Sequence, residues 1–310
     1  MYESVQTPEA LLRRLEWTVI RRLDGMLHGD YRSLFRGSGI DLADLREYQY
    51  HDDVRHIDWN VTARQQMPYV RVFNEERDIT AWFLLDLSPS VDFGSAAINK
   101  RAVATELVAV LARMLTHHGN RVGALFYGNA MDTVIPARGG RRQVLHLLHR
   151  MQARPETKAA SATNLQDFLQ RAQPLMARRS MVFIVSDFIS TPGWSKTLVQ
   201  LSQRHEVVAV RLYDRMEMDM PDLGMLVVQD AETGEQLTVD THDRGFRQRF
   251  SAAARYREAA LRLTLSEAGI DALELATDDD LMDAIQRFAD IRKLRTAVCA
   301  GGVMPRHMEH

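Results

Sequence analysis

The sequence predicts an α/β domain: a doubly wound, mostly parallel sheet with helices on both faces. Three observations carry that expectation. The runs Ala81–Leu87, Met181–Val185 and Val207–Arg211 are compact and apolar but for Asp86 and Arg211, as strands buried on both faces are. Segments with helical periodicity separate them, and parallel strands need crossovers of that kind. Two of the runs end in hydroxyl- and carboxylate-bearing loops, where open parallel sheets collect their ligands.

Pro8–Leu27 places Leu12, Leu15, Val19, Leu23 and Met26 on one helical stripe, with Gly29 as its stop. Gly37–Asp78 is rich in charge and weakly periodic, apart from a short alternating strand at Tyr69–Phe73. After the Ala81–Leu87 strand, Asn99–His118 reads as a long helix stopped by Gly119-Asn120. Arg121–Tyr127 and Thr133–Ile135 read as strands, and Arg141–Gln152 and Leu165–Met176 as helices. Trp194–Gln203 is a further helix. Met225–Gln229 and Gln236–Asp240 form a hairpin around Glu232-Thr233-Gly234. The chain closes with a helix from Gly245 to Ala268, a strand Ala272–Leu275 and a helix Asp279–Leu294. Thr277 and Asp280 look like the start signal of that last helix. The expected division is 1–78 as an N-terminal helix and charged segment, and 79–294 as the α/β domain with its hairpin near 225–240. A disordered tail is expected at 295–310.

With 310 residues and 45% hydrophobic content, the chain can bury one sizeable core. Lys and Arg total 39 against 41 Asp and Glu, for a net charge of -2. That balance argues against a nucleic-acid partner or an anionic membrane surface. Basic pairs such as Arg21-Arg22, Arg141-Arg142 and Arg178-Arg179 read as solvated helix faces. The lone Cys299 has no intrachain partner for a disulfide, which fits a reducing compartment. Leu11–Leu27 is broken by Arg13, Arg14, Glu16, Arg21 and Arg22 and so is no signal peptide. No run of about 18 apolar residues occurs. A cytoplasmic protein without membrane insertion is expected.

Oxygen-bearing side chains gather at three predicted strand or loop ends: Asp86-Leu87-Ser88-Pro89-Ser90, Thr163-Asn164 and Ser186-Asp187. An Asp with hydroxyls two and four residues on supplies a carboxylate and two neutral oxygens from one tight loop. Thr163 would add a third hydroxyl and Asp187 a second carboxylate. Such all-oxygen sites suit Mg²⁺, with Mn²⁺ or Ca²⁺ as alternatives. The absence of His and Cys from the set argues against zinc. An ion with so few charged ligands keeps an open position, free to take a partner's carboxylate. The competing reading has Ser88 and Ser90 capping a loop and Thr163 capping the helix behind it.

Asp86, Ser88, Ser90, Thr163 and Asp187 resemble the metal-ion-dependent adhesion site of von Willebrand factor A domains. There the hydroxyls ligate the ion directly or nearly so, and the aspartates do so directly or through water. Upstream, Gly37-Ser38-Gly39, Leu45-Arg46-Glu47-Tyr48, Asp52-Asp53-Val54-Arg55, Ile57-Asp58-Trp59, Ala63-Arg64 and Glu75-Glu76-Arg77 resemble the signature of a bacterial family, domain of unknown function family 58. The resemblance spans Gly37 to Tyr213 and departs at His51, where the family usually has glycine. It implies a non-enzymatic module partnering a MoxR-type AAA+ ATPase, or a client protein, in protein maturation or stress response.

The alternative is a metal-dependent phosphohydrolase with Asp86 as nucleophile. Against it, the acid/base position two residues on is Ser88, and no strand-end lysine is evident to hold a phosphate. Phosphate-binding glycine loops and the G-x-S-x-G elbow are absent. His51, Asp52, Asp53, His56 and Asp58 read as an ion-pair network with Arg46, Arg55 and Arg64, with Tyr48 and Trp59 packing against the sheet edge. His117-His118 suits a helix end, and His146 and His149 suit a solvated face.

Overall fold

The computed structural model describes residues 7–26, 45–48, 57, 59–65, 67–71, 79–95, 98–128, 133–153, 164–229 and 235–299. Two units emerge: Met1–Leu34 together with Ile79–His310, and Phe35–Asp78. The expected 1–78 segment therefore divides. Its first helix belongs with the sheet domain, because Leu11, Leu12 and Leu15 are buried and the helix packs on Lys100–His117 and Arg141–Gln152. That helix is α-helical over Pro8–Leu15 and Arg21–Met26, with a π-helical turn at Glu16–Ile20 between them. Glu16 receives Arg113 at 2.8 Å.

In the smaller unit, β1 (Leu45–Glu47) pairs antiparallel with β2 (Tyr69–Arg71) beside the helix Trp59–Gln65. β2 covers the first three residues of the expected Tyr69–Phe73 strand, and the other two lie outside the described residues. Trp59 is 69% exposed rather than packed away as expected. The acidic and histidine cluster at 51–53, 56 and 58 also lies outside the described residues.

The main sheet contains β3 (Thr80–Asp86), β4 (Arg121–Tyr127), β5 (Thr133–Arg138), β6 (Met181–Ser186) and β7 (Glu206–Tyr213). The hairpin strands β8 (Met225–Gln229) and β9 (Gln236–Asp240) form a separate two-stranded sheet, and β10 (Asp271–Ala276) returns to the main one. The order is β10-β7-β6-β3-β4-β5, parallel throughout except for β5, which is antiparallel to β4. The chain winds outward from β3 to β5, then crosses back to β6 and winds outward the other way. The winding reverses between β3 and β6, and in open α/β sheets the crevice forms there.

β3 is buried on both faces. Trp82 and Leu84 join Val182, Ile184 and Ala209 against Phe168, Leu169, Leu198, Leu201 and Leu265. On the alternate face, Phe83 stacks on Phe183, its register partner, with ring centroids 5.1 Å apart. The long helix Lys100–His117 buries Val103, Leu107, Val110, Leu111 and Met114. Asn99 caps it by accepting the Ala102 N–H at 2.9 Å.

Two expectations at the C-terminal helix need correction. Asp280 is the cap, accepting the Met282 and Asp283 N–H groups at 2.8 and 3.2 Å. Thr277 instead donates its hydroxyl to Asp214 at 2.7 Å, drawn inward by a buried carboxylate. The helix spans Leu281–Cys299, so the first residues of the expected 295–310 tail are helical.

Gly128 ties the sheet to the loop after β3. Its φ is +136°, and an added Cβ would lie 2.8 Å from the Leu87 carbonyl carbon and oxygen. Gly128→Ala should lower stability by about 2–3 kcal/mol, since strain and clash add. Gly119→Ala, also left-handed but in open space, should cost about 1 kcal/mol. Chemical denaturation of both variants checks the difference.

Candidate metal site

Asp86 is the last residue of β3 and only 2% exposed. The Leu87 N–H reaches the Tyr127 carbonyl at 2.7 Å, which extends the β3–β4 pairing one step. The chain then turns. The Ser88 N–H donates to Asp86 Oδ1 at 3.0 Å, and Pro89, with its fixed φ, opens the 3-10 turn Pro89–Asp92. The turn leaves Ser88 Oγ and Ser90 Oγ 3.0 Å apart. Two adjacent ligands of an octahedral Mg²⁺, with bonds of about 2.1 Å, also lie roughly 3.0 Å apart. The two hydroxyls therefore fit one edge of such a shell.

Across the reversal point, Ser186 ends β6 and donates its hydroxyl to Asp86 Oδ2 at 2.7 Å. Both Asp86 oxygens thus face donors. Asp187 follows, with Oδ1 accepting the Ile189 N–H at 3.0 Å and Oδ2 accepting Lys100 Nζ at 3.0 Å. Phe188 holds φ +57°, a strained position for a bulky side chain. Its N–H bonds Ser186 Oγ at 2.9 Å and its ring packs 5.9 Å from that of Trp194. These contacts fix the turn that aims Asp187.

Thr163 lies outside the described residues. Its neighbour Asn164 belongs to the same end of the sheet: its N–H donates to Tyr127 Oη at 3.1 Å, and the Leu165 N–H donates to Ser190 Oγ at 2.9 Å. Asn164, rather than Thr163, caps the helix Leu165–Ala172 by accepting the Asp167 N–H. Of the five expected site residues, four are described. Asp86, Ser88 and Ser90 share one loop, and Asp187 stands beyond Ser186 on the neighbouring strand. Among the described residues no three His, Cys, Asp or Glu side chains gather as a metal cluster, so the donor set is two carboxylates with hydroxyls.

Sequence reasoning missed Lys100 and Glu217 and gave Ser186 no role. Lys100 Nζ lies 3.0 Å from Asp187 and 2.7 Å from Glu217. A lysine is therefore present at the strand ends, contrary to the expectation. It comes from the first turn of the helix after the loop, a position that periodicity marks only as a helix start. Burial, and next the nearby Asp187, push the Asp86 carboxyl up to about 6, partly offset by the Ser88 N–H and Ser186 hydroxyl. Burial by itself would lower the Lys100 ammonium, but Asp187 and Glu217 outweigh it and hold it above its ordinary value.

The profile of the family described as "Protein of unknown function DUF58" matches residues 44–260. The uncharacterized protein Rv1480 of Mycobacterium tuberculosis H37Rv is 36% identical over 286 residues, covering 92% of this chain and 89% of its own. The chain belongs to the DUF58 family. A second relative, the uncharacterized protein MAV169 of Mycobacterium avium, is 32% identical over 163 residues, covering 52% of this chain and 95% of its own. Among solved structures, this DUF58 chain is similar to BatB from Bacteroides thetaiotaomicron, at 12% identity and TM-score 0.45, covering 69% of this chain and 98% of that one. It is also similar to the SpRpn10 VWA domain, at 13% identity and TM-score 0.37, covering 68% and 95%. Among the described residues no helix is long and apolar enough to cross a membrane.

Asp86→Asn should stabilise the metal-free protein by about 1–3 kcal/mol at pH 7.5, measured by thermal unfolding in chelator. Because burial raises the folded carboxyl from 3.8 to about 6, its charge weakens the fold above that pH. Wild-type stability should gain from this group as pH falls from about 6 toward 3.8, and the Asn variant should lack that gain.

Proposed function

We propose that this DUF58 chain is a non-enzymatic protein-binding module. Its strand-end loop, with Asp86, Ser88 and Ser90, holds one hard divalent ion, Mg²⁺ before Mn²⁺ or Ca²⁺, together with Asp187 and Thr163. The observation that carries this reading is the 3.0 Å pair of serine hydroxyls beside buried Asp86 at the reversal of the sheet. Asp86 supplies negative charge and orients the loop through the Ser88 N–H, while Ser186 fixes its rotamer from the next strand. A bound ion would supply a Lewis-acidic position for an Asp or Glu of the partner. Few charged ligands and hard oxygen donors leave that position open.

The family resemblance makes a MoxR-type AAA+ ATPase the partner of choice, directly or with a client protein, in maturation or stress response. Lys100, a cation at the strand ends, would favour phosphohydrolase chemistry on its position alone. Its ammonium is engaged by two carboxylates, however. Asp86 is nearly inaccessible, with both oxygens facing donors, and Ser88 stands where the second Asp would be.

Mixing the purified chain with the cognate MoxR-type ATPase should give a complex in Mg²⁺ that weakens about tenfold or more in chelator. Asp86→Ala should weaken it comparably, and only wild type should recover on Mg²⁺ addition. A generic phosphate ester should not be turned over. A complex of equal strength in chelator would make any metal incidental to binding.

A further inference from the structure

Lys100 combines features that a helix-starting lysine does not need. The Lys100 and Asp187 side chains are 0% and 1% exposed. A cation in the first turn of a helix meets the positive end of the dipole, and taking an ammonium out of water is costly unless carboxylates pair with it. Asp187 and Glu217 both do so, and the Phe93 ring lies 5.9 Å from Nζ. The same residue is wired into the candidate ligand loop: the Lys100 N–H donates to the Phe93 carbonyl at 3.0 Å, and the Phe93 N–H to the Ser90 carbonyl at 3.3 Å.

We infer that Lys100 is a counter-cation built into this site, an internal rival of the divalent ion for the Asp187 carboxylate. The inference rests on the metal-binding reading above and gives that site a mechanism for setting its affinity. In this structure, Asp187 Oδ2 is spent on Lys100 and Oδ1 on the Ile189 N–H. Asp86 and the serine hydroxyls are then the anchors, and Asp187 ligates fully only when Lys100 lets go. Where Lys100 lets go of Asp187, Glu217 at 2.7 Å retains it. Glu217 is itself held, since its other oxygen accepts the Asp214 N–H at 3.0 Å. The ammonium thus has one fixed partner and one it can surrender.

The test is Mn²⁺ and Mg²⁺ binding to the full chain, by electron paramagnetic resonance and calorimetry. Lys100→Met should bind Mn²⁺ about tenfold or more tighter than wild type, because a nearby positive charge is gone and Asp187 is freed. Asp187→Asn should change wild-type affinity by less than about threefold, whereas Asp86→Ala should lose about thirtyfold or more. In the double variant, Asp187→Asn should erase most of the gain from Lys100→Met. Should Lys100→Met fail to fold, the contrast between Asp187→Asn and Asp86→Ala still decides. Equal or weaker binding by folded Lys100→Met, or an Asp187→Asn loss as large as that of Asp86→Ala, overturns the role of Lys100 and leaves the metal site standing. If wild type and Lys100→Met both take up no Mn²⁺ at millimolar concentration, the metal-binding reading itself falls, and the inference with it.

Discussion

The parallel pairing of β3 with β6, Ala81 against Met181 through Leu85 against Val185, is the constraint on which the candidate site depends. Sequence neighbours β3 and β4 also pair, but that contact joins strands wound in the same sense. The β3–β6 contact joins strands whose crossovers leave in opposite directions, so neither connecting helix covers the space beyond their ends. Asp86 and Ser186 meet there across a gap of 100 residues. The register is held from below by the stacked pair Phe83 and Phe183. A slip of one residue would put the two phenylalanines on opposite faces and carry Asp86 away from Ser186.

Around that point the polar groups form a chain of charges. Thr277 and Ser95 both donate to Asp214, at 2.7 Å from each hydroxyl. Burial would raise the Asp214 carboxyl, yet the bonds from Ser95, Thr277 and the Met216 N–H bring it below its ordinary value. Asp214 opens the 3-10 turn that presents Glu217, Glu217 holds Lys100, and Lys100 holds Asp187. The ends of β6, β7 and β10 and the loop after β3 are therefore linked by bonds that each satisfy a buried group. Arg101, next to Lys100, adds a parallel tie by bonding Asp92 at 2.5 Å and the Leu87 carbonyl at 3.2 Å. Buried networks of this kind specify geometry more than they add stability.

What could be read in the sequence follows from the range of the forces involved. β6, β8 and β9 were legible almost to the residue because an uninterrupted or alternating apolar run is a local property. The carboxylate and hydroxyls of the Asp86–Ser90 loop were legible because their spacing is local too. Lys100 and Glu217 meet across 117 residues, and no window of sequence contains that meeting. One trace was present: the chain writes its cations almost wholly as arginine, with lysine only at positions 100, 158, 196 and 293. A compact ammonium fits between two carboxylates where a planar guanidinium would not. Thr277 and Asp280 were confused because each is an acceptable helix cap, and a buried carboxylate elsewhere in the fold drew one of them inward. The π-helical turn at Glu16–Ile20 left no signal in a stripe whose apolar spacing reads as ordinary helix.

The lysine between Asp187 and Glu217 also bears on how the chain is made. Small metal domains commonly stay unfolded until their ion arrives, because their ligand charges repel and nothing else gathers them. Here the sheet gathers the carboxylates and an ammonium already balances part of their charge. The chain therefore does not depend on an ion to bring these side chains together. An ion bound by the folded chain alone would add to its stability by mass action, on top of a fold that the sheet already holds.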